Sequence, residues 1–235
     1  MLPFFYIKDF SDASNFIELD EINSRHIVQV LRMKIGDALH LTDGKGHLIT
    51  AEISEEHKKH CVVKKTAVSF QPHEGRKVSL AISLVKNVSR FEWMLEKVTE
   101  IGVQKIIPLI CNRTEKEKFR MDRMEGICIS ALLQSKQVWL PELVEPVSFS
   151  QIANWKNNSG SLFIAHCEEQ QKNSIASISE TALEESMIAI GPEGDFTNEE
   201  IALAFTNGFQ PLSLGENRLR TETAGVVAVS LFRLK

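Results

Sequence analysis

The chain has 235 residues, 43% of them hydrophobic and 25% charged, and 27 Lys and Arg stand against 31 Asp and Glu for a net charge of −4. These are ordinary globular values, and they exclude collagen, coiled coil and wholesale disorder. The length fits one large or two small domains. The longest apolar runs, Ser79–Val85 and Gly225–Phe232, fall far short of the ~20 residues a membrane helix needs. The opening MLPFFYIKDF has neither a basic stretch nor a small-residue cleavage site, so no signal peptide is expected. Cys61, Cys111, Cys128 and Cys167 are scattered without a C-x-x-C pair. Neither a disulfide framework nor a zinc ribbon is indicated, and a reduced, cytoplasmic enzyme is expected.

Charge is unevenly spread. Residues 76–123 carry 11 basic and 6 acidic side chains, net +5, whereas residues 1–75 are net −2 and residues 124–235 net −7. A basic middle in an acidic chain suits contact with nucleic acid, and equally suits a solvated helix face.

In chain order, Leu2–Ile7 reads as a short strand. Glu21–Met33 has helical spacing at Ile22, His26, Val30 and Met33. Ala38–Thr42 and His47–Ile53 flank the turn Asp43-Gly44-Lys45-Gly46 and predict a hairpin. Cys61–Phe70 is a further strand. Short strands around one helix suggest a small barrel over residues 1–72, of a kind suited to RNA. Gln71–Arg76 is polar, holds Pro and Gly, and is the expected linker.

From residue 75 the pattern alternates. Val78–Val85 is a continuous apolar strand, as when both faces are covered. Ser89-x-x-Glu92 predicts a capping box, and Phe91, Met94, Leu95, Val98 and Ile101 mark a helix stopped by Gly102. Lys105–Ile110 is the next strand and Met121–Gln134 the next helix. Strands follow at Ser161–Cys167 and Met187–Ile190. Thr197-x-x-Glu200 predicts a second capping box and a helix to Gly208. A strand at Phe209–Leu214 leads to a last helix, Thr221–Leu234. Residues 75–235 therefore read as an α/β domain with a mainly parallel sheet. Trp93, Trp139 and Trp155 stand isolated and are expected to pack.

Two glycine-containing loops follow strands: Gly191-Pro192-Glu193-Gly194-Asp195, and Leu214-Gly215-Glu216-Asn217-Arg218-Leu219-Arg220-Thr221-Glu222-Thr223-Ala224. Ligands of open α/β sheets bind beyond the carboxyl ends of strands, and glycine lets backbone approach a ligand closely. Neither loop is a P-loop or a G-x-G-x-x-G dinucleotide fingerprint, and the chain has no G-x-S-x-G elbow. His57, His60 and Cys61 lie close in sequence, but no second ligand cluster accompanies them. Residue patterns alone thus reach a β domain and an unknotted α/β domain with a loop-built ligand site.

GPEGDFTNEEI followed by LGENRLRTETA resembles the RsmE family of ribosomal RNA methyltransferases, of the SPOUT class. His26-x-x-x-Val30-Leu31-Arg32 with Gly36-Asp37, Glu96–Val103 (EKVTEIGV), and Gln134-Ser135 with Pro141-Glu142 agree, so the resemblance spans essentially the whole chain. It departs at Asp195, where the family usually has Gly, at Leu133/Lys136/Gln137 in place of E-Q-S-G-R, and at Asn217-Arg218.

The resemblance implies a PUA-like or OB-like N-terminal barrel at 1–72 and a SPOUT-like, trefoil-knotted, homodimeric catalytic domain at 75–235. It implies S-adenosylmethionine as cofactor and methylation of N3 of a uridine, 1498, in 16S ribosomal RNA of the small subunit. The implied cofactor set is His166, Gly191, Glu193, Gly194, Leu214, Gly215, Leu219, Thr223 and Ala224. Arg25, Arg32, Arg90 and Arg113 are the implied RNA contacts.

Uracil N3 carries an imide proton, so a base must remove it or the site must stabilise the anion. Arg220 is the first catalytic candidate and Glu222 the second; the base stays unassigned. The last helix is apolar nearly all round, which predicts burial on two sides and a two-fold partner. The competing readings are a non-enzymatic RNA-binding module, a nucleotide-binding oxidoreductase, and a methyltransferase acting on another RNA.

Overall fold

The computed structural model describes residues 2–154, 160–168 and 172–234. Trp155 lies outside the described residues. The chain forms two compact units, one of residues 1–73 with 132–140, the other of residues 74–131 with 141–235.

The first unit holds β1 (Phe4–Tyr6), β2 (Phe16–Glu18), α1 (Glu21–Arg25), β3 (Ala38–Thr42), β4 (His47–Glu55) and β5 (Val62–Phe70). They make a five-stranded sheet in the order β1-β3-β4-β5-β2, antiparallel except for β1 beside β3. The expected hairpin is β3–β4. Asp43 closes its turn by accepting from the backbone N–H of Lys45 at 2.8 Å and of His47 at 3.3 Å. Ile27, Leu39, Leu41, Ile49, Ile53 and Val63 fill the core.

The helix expected over Glu21–Met33 is shorter. After α1 the backbone widens into a π-turn over His26–Val30, and Arg32 at φ 55° ends it. β2 was not expected: three residues with no repeat leave no period to read. Residues 132–140 complete this unit. Gly46 N–H donates to Val138 O at 2.8 Å, and the Trp139 indole donates to Gln71 O at 2.8 Å while meeting Phe70 edge-on.

The second unit holds β6 (Lys77–Ser83), α2 (Val88–Ile101), β7 (Lys105–Ile110), α3 (Met121–Ser135, its end in the first unit), β8 (Glu142–Leu143), β9 (Val147–Ser148) and α4 (Phe149–Ala153). It continues with β10 (Ser161–Ala165), β11 (Asn173–Ser174), α5 (Glu180–Glu184), β12 (Glu185–Ile190), α6 (Asn198–Thr206), β13 (Gln210–Ser213) and α7 (Thr221–Leu234). Among the described residues the strands form an eight-stranded parallel sheet, β11-β13-β10-β12-β6-β7-β8, with β9 also on β7.

β6 lies at the centre between β12 and β7, which is why its sequence is apolar without alternation. One face is covered by α4 and α6 around Phe149, Ile152, Phe196 and Ile201. α7 packs on β6 and β12, and α2 packs against α7. At Gly225 a Cβ would stand 2.6 Å from Ile82 Cδ1, so a side chain there would have to push that buried methyl aside for α7 to come this close to β6. The capping box at α6 is present, with Thr197 and Glu200 bonding reciprocally. That expected at Ser89 is not: Asn87 caps α2, and Ser89 N–H donates to its side chain at 3.0 Å.

No helix among the described residues is long and apolar enough to cross a membrane.

Candidate active site

The sheet's strand order sets the place of the site. From β6 the chain steps one way to β7; β10, β12 and β13 lie on the other side of β6. A crevice beyond the carboxyl ends of strands is where open α/β sheets bind ligands. Here a cavity of about 560 Å³ opens at the ends of β10, β12 and β13, within the range of small-molecule sites.

Both glycine-containing loops line it. Gly191 and Glu193 come from the loop after β12, and Leu214, Gly215 and Leu219 from the loop after β13. His166 follows β10, and Arg220 and Ala224 stand at the start of α7. Lys172, Cys167, Asp195 and Arg218 also reach the wall. Asp195 and Arg218 belong to the two glycine-containing loops read from the sequence, whereas Lys172 and Cys167 lie outside both and nothing in their spacing marks them.

The loop after β12 acts as a hub. Glu193 Oε1 accepts from Lys86 N–H at 3.0 Å, beyond the end of β6. Asp195 Oδ2 accepts from Cys167 N–H at 2.7 Å, beyond the end of β10. Buried Glu200 accepts from Asn112 N–H at 2.9 Å, beyond the end of β7, and from Thr197 N–H at 2.8 Å. Thr221 at the start of α7 donates its hydroxyl to Gly191 O at 3.0 Å. The carboxylates of Glu193 and Asp195 and the Thr221 hydroxyl thus tie the loop to three neighbours, and Glu200 fastens the first turn of α6, which follows the loop, to the end of β7. Charge-assisted bonds of this kind are stronger than neutral ones.

Several of the expected residues stand away from the cavity wall. Gly194 does not line the cavity. Its carbonyl accepts from Arg113 Nη1 at 2.7 Å, and a Cβ there would meet Arg113 Cδ at 3.3 Å rather than a ligand. Arg113, expected on RNA, is therefore committed to the hub loop, with a second contact to Phe196 O at 3.4 Å. Glu222 and Thr223 are also absent from the cavity wall. Glu222 is buried, with Oε1 3.6 Å from Arg90 Nε. One helical turn explains this: Thr221 and Ala224 face the cavity, and the residues between them point elsewhere. Arg25 pairs with Glu21 at 2.7 Å on the surface of α1, and Arg32 is exposed.

His166 is 6% exposed, and neither ring nitrogen has a hydrogen-bond partner among the described residues. Buried polar atoms are seldom left so. Burial first, and then the Lys172 ammonium, hold its imidazole below the usual value, so the ring is neutral at pH 7. The orphaned nitrogens beside an open cavity fit a polar organic ligand such as a nucleoside.

An open parallel sheet with a loop-built cavity at its carboxyl edge defines a ligand-binding α/β protein. The chain belongs to the RNA methyltransferase family: the model of the RNA methyltransferase domain matches residues 72–233, and that of the RNA methyltransferase PUA domain matches residues 19–66. It is 30% identical to the ribosomal RNA small subunit methyltransferase E of Rickettsia conorii, over 97% of this chain and 94% of the relative. A structure from Porphyromonas gingivalis, described as a probable rRNA-methyltransferase, superposes with a TM-score of 0.90 at 35% identity, covering 97% of this chain and 96% of that one. The ribosomal RNA small subunit methyltransferase E of Neisseria gonorrhoeae, solved bound to S-adenosyl methionine, gives a TM-score of 0.87 at 27% identity over 98% and 96% of the two chains.

Proposed function

We propose that this RNA methyltransferase uses S-adenosylmethionine to methylate N3 of a uridine in 16S ribosomal RNA of the small subunit, the uridine at position 1498. The observation that carries the reading is the cavity itself. Two glycine-containing loops converge on it beside a buried histidine whose ring nitrogens lack partners among the described residues. His166, Gly191, Glu193, Leu214, Gly215, Leu219 and Ala224 hold the cofactor in this reading. Bound there, S-adenosylmethionine supplies an electrophilic methyl group on a sulfonium.

The chain's own contribution is positioning and charge. Arg220 lines the cavity and is exposed, and it has no ion-pair partner among the described residues. Its guanidinium is free to neutralise charge on O2 or O4 as the imide proton leaves N3. Glu222 supports this from outside the cavity by holding Arg90. Both oxygens of Asp195 accept backbone N–H groups, which gives it a positioning part in this reading; with the anion stabilised, solvent takes the proton. Arg25, Arg32 and Arg90 contact RNA.

The protein works as a homodimer in the cytoplasm. Supporting the dimer, α7 keeps Leu234 73% exposed and Val226, Val227 and Leu231 half-buried.

The test is mass spectrometry of ribosomal RNA from a strain lacking the protein, with restoration by the purified protein and S-adenosylmethionine. Loss and recovery of one N3-methyluridine in 16S RNA is expected. An unchanged 16S RNA with a missing methyl elsewhere would assign the enzyme to another RNA.

A further inference from the structure

Asp195 stands where the resembling family usually carries glycine, and the backbone shows why glycine suits the place. Its φ is 64°, the left-handed region, which Asp and Asn enter more readily than other side chains. The turn is closed by Asp195 N–H donating to Pro192 O at 2.9 Å. This chain therefore keeps the turn and adds a carboxylate to it.

Each oxygen of that carboxylate is engaged. Oδ1 accepts from Phe196 N–H at 2.8 Å and Oδ2 from Cys167 N–H at 2.7 Å. The second bond leaves the turn and joins the ends of two adjacent strands, β12 and β10. The N–H it holds belongs to the peptide joining His166 to Cys167. His166 is the wall residue whose two ring nitrogens have no partner among the described residues. Fixing that peptide plane fixes the exit of β10 at the residue that carries the imidazole. With glycine at 195, the Cys167 N–H would lose this acceptor.

We propose that Asp195 is a positioning residue for the cofactor: its carboxylate latches the 166–167 peptide and so sets the His166 ring in the cavity wall before the ligand arrives. Ordering a binding wall in advance removes part of the cost of binding. The inference rests on the cofactor reading given above. It adds a tie that glycine cannot make, and it assigns Asp195 no part in proton transfer.

The test uses the full-length protein with D195G and D195N. Exchange of the Cys167 amide is followed by NMR without cofactor, S-adenosylmethionine binding by calorimetry, and KM for cofactor and for RNA by steady-state kinetics. In D195G the Cys167 amide should exchange on the order of 10-fold faster, and the cofactor should bind on the order of 10-fold more weakly, as for loss of one charge-assisted hydrogen bond. KM for the cofactor should rise while KM for RNA stays. D195N tolerates the same φ and keeps one acceptor oxygen, so it should fall between wild type and D195G. Unchanged amide exchange in D195G would overturn the latch. Faster exchange with unchanged affinity would overturn the positioning role. If wild type itself binds no S-adenosylmethionine, the cofactor reading falls; if wild type and D195G bind it equally, only the present inference does.

Discussion

Glu222 on α7 and Arg90 on α2 meet at 3.6 Å across the packed pair of helices, the carboxylate buried and the guanidinium 44% exposed. Glu222 sits in the first turn of α7, where the helix dipole also favours its charge. An anion held this way orients a partly exposed cation.

Glu222→Gln should therefore leave S-adenosylmethionine affinity unchanged and raise KM for RNA several-fold, because Arg90 loses its anchor. Arg90→Ala leaves the buried carboxylate without this partner and should cost about 1–3 kcal/mol in urea unfolding. A lowered cofactor affinity in Glu222→Gln would contradict this division of roles.

The two loop glycines should fail in different ways. Gly215 has φ 118° and open space around a built Cβ, so Gly215→Ala acts through backbone strain of about 1–3 kcal/mol. It should weaken cofactor binding by calorimetry while the rest of the unit stays folded. At Gly191 a Cβ would stand 3.0 Å from Phe196 Cδ2 and 3.1 Å from its backbone nitrogen. Gly191→Ala should therefore displace the hub loop and lower thermal stability as well as affinity.

The lowered pKa of His166 gives a pH dependence with a definite sign. The folded ring stays neutral below its usual value of 6.5, chiefly through burial and then Lys172, with Asp195 and Glu168 opposing. As pH falls below 6.5 the unfolded chain takes up the proton first. Stability from this group is thus complete above 6.5 and is lost as pH falls through the lowered folded value. Urea midpoints measured from pH 7.5 to 5 should decline more steeply in wild type than in His166→Gln.

Phe232 and Leu234 separate folding from association. Phe232 is fully buried, its ring 5.0 Å from that of Phe163, so Phe232→Asp should abolish folding. Leu234 is 73% exposed. Leu234→Asp should leave the circular dichroism spectrum intact and shift the sedimentation equilibrium from dimer towards monomer. A wild-type monomer at micromolar concentration with full methyl transfer would end the dimer proposal.

What the sequence made legible follows from period and punctuation. The β3–β4 hairpin was announced by Asp43–Gly46, α6 by Thr197 and Glu200, and α7 by its apolar run from Thr221 to Leu234. The site was legible as two glycine-containing loops after strands. β8, β9 and β11 have two residues each and α4 and α5 five, too few for any period to emerge. At α2, both Asn87 and Ser89 are good caps, and Glu92 completes the pattern from Ser89. In the fold Glu92 instead accepts from Arg123 at 2.5 Å, which leaves the cap to Asn87. The placements of Arg113 and Glu222 were hidden for a different reason. Residue type announces a charge, but only packing decides whether it faces a ligand or a neighbouring loop.

Residues 132–140 give the chain an order of assembly. The first unit is not complete when residue 73 has been made, since Val138 and Trp139, its partners for Gly46 and Gln71, come later. At the ~5–20 residues per second of protein synthesis, the N-terminal sheet waits roughly 3–13 s on the ribosome for them. During that interval Phe70, already 57% exposed in the finished fold, lacks the indole that covers its edge. The first unit therefore closes only after residues 74–131 of the second have been made: a ribosome halted near residue 130 would hold a nascent sheet that stays open to proteases, and one halted far enough past residue 140 would not.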